Sequence, residues 1–146
     1  MNDQEQQRAA RLGIEALNAS LVRLGYPPVG KNADVRMVDP FLGVIPNAVI
    51  ERPGVAPLRL LFGLELDIWV GPFSEVVAVP AREECRRDME NEITRILKSE
   101  VECRYRKRWV ELILRIPDQN PWLRLRIVGT GRSSVLEPRY APYASQ

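Results

Sequence analysis

Apolar and polar side chains alternate through much of residues 101–128, and this two-residue period constrains the fold more than any other feature. Over residues 109–116, the other side of the chain from Glu111 and Arg115 is apolar throughout: Val110, Leu112, Leu114 and Ile116. After a turn at residues 117–121, Arg124 and Arg126 alternate with leucine and isoleucine. Such alternation is typical of β-strands with one buried face. The sequence therefore predicts an antiparallel hairpin with arginine on its exposed face.

Two amphipathic helices are predicted, over residues 3–24 and residues 80–99. The apolar positions of the first helix follow the 3.6-residue period: Ala10, Ile14, Leu17, Leu21 and Leu24. Gly25 and the two prolines after Tyr26 form a strong helix stop. Pro80 is expected to open the second helix, because the first helical position needs no N–H donor.

The predicted elements run in the order helix, strands, helix, strands. Residues 28–57 are rich in proline and glycine and are predicted to form loops and a hairpin, whereas residues 64–70 alternate as a strand. Residues 137–146 are expected to form an extended C-terminal tail. Without βαβ alternation, this order favours a single α+β domain over residues 1–146, with a mostly antiparallel sheet of about 5–7 strands and the two helices packed on one face.

The sequence start and the cysteine content favour a cytoplasmic protein that does not bind membranes. The first seven residues are polar and acidic, unlike a secretory signal, and no segment approaches the roughly 18 apolar residues of a membrane helix. The two cysteines, Cys85 and Cys103, lack metal-binding spacing and are expected to stay reduced.

Histidine is absent from the chain, which excludes the common nucleophilic triads and histidine-bearing metal sites. We assign no catalytic residue, no metal ligand and no cofactor. An enzyme that uses carboxylates remains an alternative, with Glu65, Asp67 and Glu75 in a pocket covered by residues 28–57.

Acidic and aromatic side chains share the outward face of the strand predicted at residues 64–70. Glu65, Asp67 and Trp69 alternate onto this face, and Glu75 follows after a turn. Large aromatic side chains contribute strongly to protein interfaces. These four residues are therefore the candidates for contact with a protein partner, although a solvated strand face would have the same pattern.

Positive charge is concentrated at the C-terminal end. Residues 1–100 hold 12 Lys/Arg and 15 Asp/Glu, whereas residues 101–146 hold 9 Lys/Arg and 4 Asp/Glu. The candidates for binding an anion or a nucleic acid are Arg104, Arg106, Arg124, Arg126 and Arg132. Interleaved aromatic residues are compatible with RNA or DNA binding, but no known RNA-binding motif accompanies them. Arginine that merely protects a sheet edge is the simpler interpretation.

The sequence favours a small protein-interaction module of the adaptor, chaperone or toxin-neutralising type, which binds a protein partner or a second copy of itself. Opposite charges on separate faces suit electrostatic selection of a partner. Binding of a nucleic acid or a phosphate ligand through the C-terminal strands is the first alternative, and the carboxylate enzyme is the second.

Overall fold

The computed structural model describes residues 3–38, 45–128 and 136–144. Two helices and two antiparallel sheets confirm the predicted α+β class. The chain divides into two compact units: the first comprises Met1–Glu51 and Pro57–Thr94, and the second comprises Arg52–Ala56 and Arg95–Gln146.

Helix α1 (Asp3–Arg23) ends as the sequence predicts. Gly25 adopts a φ of 88°, a left-handed conformation that glycine tolerates without steric cost. The N–H of Tyr26 donates to the carbonyl of Leu21 at 2.9 Å, and the N–H of Gly25 donates to that of Val22 at 3.0 Å. This pair of hydrogen bonds satisfies the last carbonyls of the helix and directs the chain away from it.

The second helix is shorter than the sequence suggests. Pro80 is the last residue of a strand, and a single 3-10 turn (Glu83–Cys85) precedes helix α2 (Arg86–Leu97). Proline is tolerated at this position because an edge strand can end without its N–H donor.

The first unit contains a five-stranded antiparallel sheet whose strands follow the order of the sequence. Its strands are β1 (Val35–Val38), β2 (Asn47–Ile50), β3 (Leu58–Phe62), β4 (Glu65–Val70) and β5 (Phe73–Pro80). Strand β4 has the predicted alternation, with Leu66, Ile68 and Val70 fully buried. Helix α1 packs on β3 and β4. At Gly13 the packing is so close that an added Cβ would lie 2.8 Å from Cδ1 of Phe62.

The second unit contains a four-stranded antiparallel sheet in the order β8-β7-β6-β9. Its strands are β6 (Glu100–Tyr105), β7 (Trp109–Arg115), β8 (Leu123–Val128) and β9 (Arg139–Tyr140). The predicted hairpin is therefore β7 and β8, with Leu112 and Leu114 fully buried and Arg124 exposed.

Aromatic side chains anchor the C-terminal end of the second unit. Tyr140 pairs with Val101 of β6, and Tyr143 is 1% exposed. Arg52 donates a hydrogen bond to the carbonyl of Tyr143 and stacks on its ring at 4.2 Å. Trp122 donates from Nε1 to Oγ of Ser99 at 2.7 Å.

Within the described ranges, no helix is long and apolar enough to cross a membrane.

Candidate functional site

The acidic residues predicted from the sequence lie on β4 and β5 of the first unit. Asp67 is half-buried on β4, opposite Leu61 of β3 and Ala78 of β5. Burial raises the pKa of Asp67, the Trp69 indole lowers it, and the charges of Glu75 and Glu65 raise it further. Desolvation is the larger effect because a carboxylate loses hydration in a low-dielectric environment.

Glu75 lies at an irregular point of β5. Its φ is 51°, a left-handed conformation that is uncommon for a residue with a side chain. The register between β4 and β5 shifts here, since Ile68 pairs with Val77 but Val70 pairs with Phe73. The extra residues interrupt the regular strand pairing opposite Trp69. Residue 75 is a glutamate and not a glycine, so the sequence carries no signal for the left-handed conformation or for the register shift.

Trp69 is half-buried and lies opposite Arg59 of β3. It borders a cavity of about 300 Å³, whose other lining residues are Val49, Glu51, Pro57, Leu58, Arg59 and Gly71. The structure therefore brings Asp67 within electrostatic range of Glu65 and Glu75, whereas the cavity at Trp69 also contains an arginine. Among the residues that the structure describes, no group of acidic or cysteine side chains is arranged to hold a metal ion.

The predicted arginine cluster is organised around Glu111 at the centre of the second unit's sheet. Strand pairing places Glu111 of β7 between Arg104 of β6 and Arg126 of β8. The Glu111 side chain is 9% exposed, and its carboxylate lies 3.2 Å from Nε of Arg126, 3.8 Å from Nη1 of Arg124 and 4.0 Å from Nη1 of Arg104. Three guanidinium groups thus share one carboxylate.

A second carboxylate extends this cluster toward β9. Glu102 lies 3.3 Å from Nη2 of Arg104 and 3.5 Å from Nη2 of Arg139. Together, four arginines and two glutamates leave a net charge of +2 on this sheet face. We call these six residues the arginine face: Glu102, Arg104, Glu111, Arg124, Arg126 and Arg139.

An aromatic side chain borders the arginine face. The guanidinium carbon of Arg126 lies 4.7 Å from the ring centre of Trp109, and Trp109 pairs with Val128 across the strands. The ring attracts the guanidinium group, which also donates a hydrogen bond to Glu111 at 3.2 Å. Val128 itself is 85% exposed.

Two of the predicted anion-binding residues are not part of this cluster. Arg106 follows β6, and its backbone N–H donates to the carbonyl of Trp109, the first residue of β7, at 2.9 Å. Arg132 lies outside the described residues. The sequence reasoning, in turn, missed the roles of Glu102 and Glu111. The short turn after β6 is the signal that would have found Glu111, because it fixes the register that places this residue opposite Arg104.

The open edge of β8 adjoins the arginine face. Among the described residues, β8 has one neighbouring strand, β7. The hydrogen bond from Arg106 to Trp109 makes the odd-numbered residues of β7 partners of β6, because bonded and non-bonded pairs alternate in an antiparallel ladder. On β8, the backbone N–H and C=O of Arg124 and Arg126 therefore point away from β7, toward the open edge.

Comparison with known proteins gives no match, whether to a family model, to a curated protein or to a solved structure.

Proposed function

We propose that this protein is a protein-interaction module and that the open edge of β8 binds an extended segment of another protein as an additional strand. The observation that carries the proposal is a six-residue strand whose outward N–H and C=O groups at Arg124 and Arg126 adjoin a surface of net positive charge. Strand addition uses such backbone groups for affinity and the neighbouring side chains for specificity.

The other sheet edges are less suited to strand addition. Strand β9 has two residues, and β1 has four. Strand β5 is interrupted by the register shift at Glu75 and ends at Pro80. Irregular, short or proline-containing edges are the usual means by which proteins prevent pairing. Among the described strands at sheet edges, β8 has six residues and pairs with β7 without any register shift.

Charge favours another protein over a second copy as the added strand. If two copies paired through β8 with their sheet faces aligned, residues directly opposite each other would share a face, so arginine would lie opposite arginine. Like charges in this position are destabilising. An acidic segment has the complementary charge, and electrostatic attraction would also speed its association.

The ion pairs of the arginine face weaken the nucleic-acid alternative. Arg104, Arg124 and Arg126 each lie within 4.0 Å of the Glu111 carboxylate. A phosphate and an acidic side chain would both compete with that carboxylate, but an added strand also gains backbone hydrogen bonds along β8, which a phosphate does not. The two free thiols, Cys85 and Cys103, are compatible with the cytoplasmic location that we propose for the protein.

Selection of random twelve-residue peptides on the full chain tests the proposal. Arg126→Pro removes the outward N–H of β8 without removing a donor to β7, and Arg126→Ala is the matched control that retains this N–H. We expect the selected peptides to lose at least about tenfold in affinity with Arg126→Pro relative to Arg126→Ala. If Arg126→Pro disturbs the fold by circular dichroism, Val128→Pro with Val128→Ala provides the same comparison at the strand end.

Three results would overturn the proposal. The first is a set of selected peptides that bind the proline and alanine variants equally. The second is a dimer of the full chain, detected by sedimentation, that dissociates in the proline variant, since it would make a second copy the occupant. The third is binding of a twelve-nucleotide uridine RNA more tightly than any selected peptide, with a salt slope near −0.7 per phosphate contact.

A further inference from the structure

We infer that the segment added to β8 alternates between acidic and apolar residues, with acidic side chains opposite Arg124 and Arg126 and apolar side chains opposite Leu125 and Ile127. This inference rests on the proposed function and assigns the chemistry of the partner. Its basis is that the two faces of β8 differ in character and that both remain incompletely covered.

The apolar face of the sheet continues onto β8 but is less covered there. Leu112 and Leu114 of β7 are fully buried, whereas Leu125 of β8 is half-buried and Ile127 is 40% exposed. Valine or isoleucine on an added strand would cover Leu125 and Ile127, because side chains on adjacent strands are neighbours on the same face. Burial of this apolar surface would favour association.

The opposite face of β8 carries positive charge that one carboxylate only partly neutralises. The side chains of Arg124 and Arg126 are 52% and 61% exposed, and Glu111 also lies near Arg104. A carboxylate directly opposite each arginine would lie within reach of its guanidinium group, since paired Cβ atoms are about 5 Å apart. The stacking of Arg126 on Trp109 holds one of these guanidinium groups in place.

The backbone geometry connects the two faces. Arg124 and Arg126 present their N–H and C=O groups to the open edge, so the partner residues that exchange backbone hydrogen bonds with them are also those whose side chains face the arginines. The partner must therefore place acidic side chains opposite the arginines and apolar side chains opposite Leu125 and Ile127. This fixes a pattern in which an apolar residue separates two acidic residues. A segment with the same residues in blocks cannot satisfy both faces.

Three labelled ten-residue peptides test this inference by fluorescence anisotropy with the full chain at 0.15 M salt. The first alternates glutamate and valine, the second has the same composition with the two residue types in blocks, and the third alternates lysine and valine. We expect the alternating glutamate peptide to bind at least about tenfold more tightly than the block peptide, and the lysine peptide not to bind measurably.

Substitution of the two arginines checks the assignment of the faces. Arg124→Gln together with Arg126→Gln should reduce binding of the alternating glutamate peptide by at least about tenfold. Arg139→Gln is the matched control, because it lies on the arginine face but on β9, away from the open edge. We expect its effect to remain below about threefold, as for an exposed charge at the rim of an interface.

The outcomes separate this inference from the proposed function. If the alternating and block peptides bind equally and both are sensitive to Arg126→Pro, strand addition stands and the alternating pattern is wrong. If the lysine peptide binds as well as the glutamate peptide, the acidic chemistry is wrong. If no designed peptide binds while randomly selected peptides bind the β8 edge, the inferred chemistry fails and the proposed function stands.

Discussion

Replacement of Glu111 with glutamine is expected to destabilise the second unit by about 2 kcal/mol. The substitution preserves the shape of the side chain but removes the charge that three arginines share. The hydrogen bond from Arg126 at 3.2 Å changes from a charge-assisted to a neutral one, which costs about 1 kcal/mol. The contacts to Arg124 and Arg104 at 3.8 and 4.0 Å are longer, and these arginine side chains are 52% and 40% exposed, so about 0.5 kcal/mol is expected from each.

Urea unfolding monitored by tryptophan fluorescence measures this loss. In a Trp69→Phe background, Trp109 and Trp122 both lie in the second unit and report on it directly. A loss of about 2 kcal/mol would lower the urea midpoint by about 1 M, since the slope for a small protein is about 1–3 kcal/mol per M. The loss should decrease in about 1 M salt, which screens the half-exposed arginines.

The control is Glu137→Gln, because Glu137 is an exposed carboxylate of the same unit. A loss for Glu111→Gln below about 0.5 kcal/mol, or equal to that of the control, would refute the idea that Glu111 holds the arginine face together. Heparin affinity provides a second measurement. Removal of the shared charge should raise the salt concentration at which the protein elutes, and an unchanged elution would also contradict the reasoning.

Three further measurements address other parts of the molecule. Burial raises the pKa of Asp67 above its ordinary 3.8, so the ionised carboxylate opposes folding at pH 7. Asp67→Asn should therefore raise the urea midpoint at pH 7 and leave it unchanged below about pH 3, and a lower midpoint at pH 7 would contradict this reasoning. Gly13→Ala should destabilise the first unit by about 1–2 kcal/mol in urea unfolding, because the added methyl group contacts Phe62, and Phe62→Leu should relieve that cost. If Gly13→Ala instead stabilises the unit through the higher helix propensity of alanine, helix α1 can move away from Phe62 at little cost. Burial, with the charge of Glu102, raises the pKa of the Cys103 thiol to about 11. Iodoacetamide at pH 8 should therefore label Cys85 at least about tenfold faster than Cys103, as measured by mass spectrometry of the folded chain, and equal rates would argue that β6 opens readily.

Local patterns predicted the elements because each depends on neighbouring residues in the chain. The alternation at Leu66 and Ile68 identified the buried face of β4, and Gly25 identified the end of α1. Both signals arise within a few residues, where side-chain period and backbone conformation are determined by local chemistry.

The division into two sheets was not visible in the sequence, because pairing between strands depends on contacts that are distant along the chain. Nothing local distinguishes β5, which closes one sheet, from β6, which belongs to the other. The same limit applies to the candidate site. The sequence placed Glu111 on the outward face of its strand, but only the register of three strands shows that Arg104 and Arg126 lie on either side of it.

The short segment Arg52–Ala56 belongs to the second unit although both of its flanking segments belong to the first. Its Gly54 carbonyl accepts a hydrogen bond from the N–H of Ala141 at 2.9 Å, and Val55 forms an isolated bridge with the same residue. No single cut of the polypeptide therefore yields two complete halves. During synthesis these five residues leave the ribosome long before Ala141, so their final partners arrive only after the intervening segment, residues 57–140, has been made. Folding of the second half must then recruit a piece of chain that was made with the first.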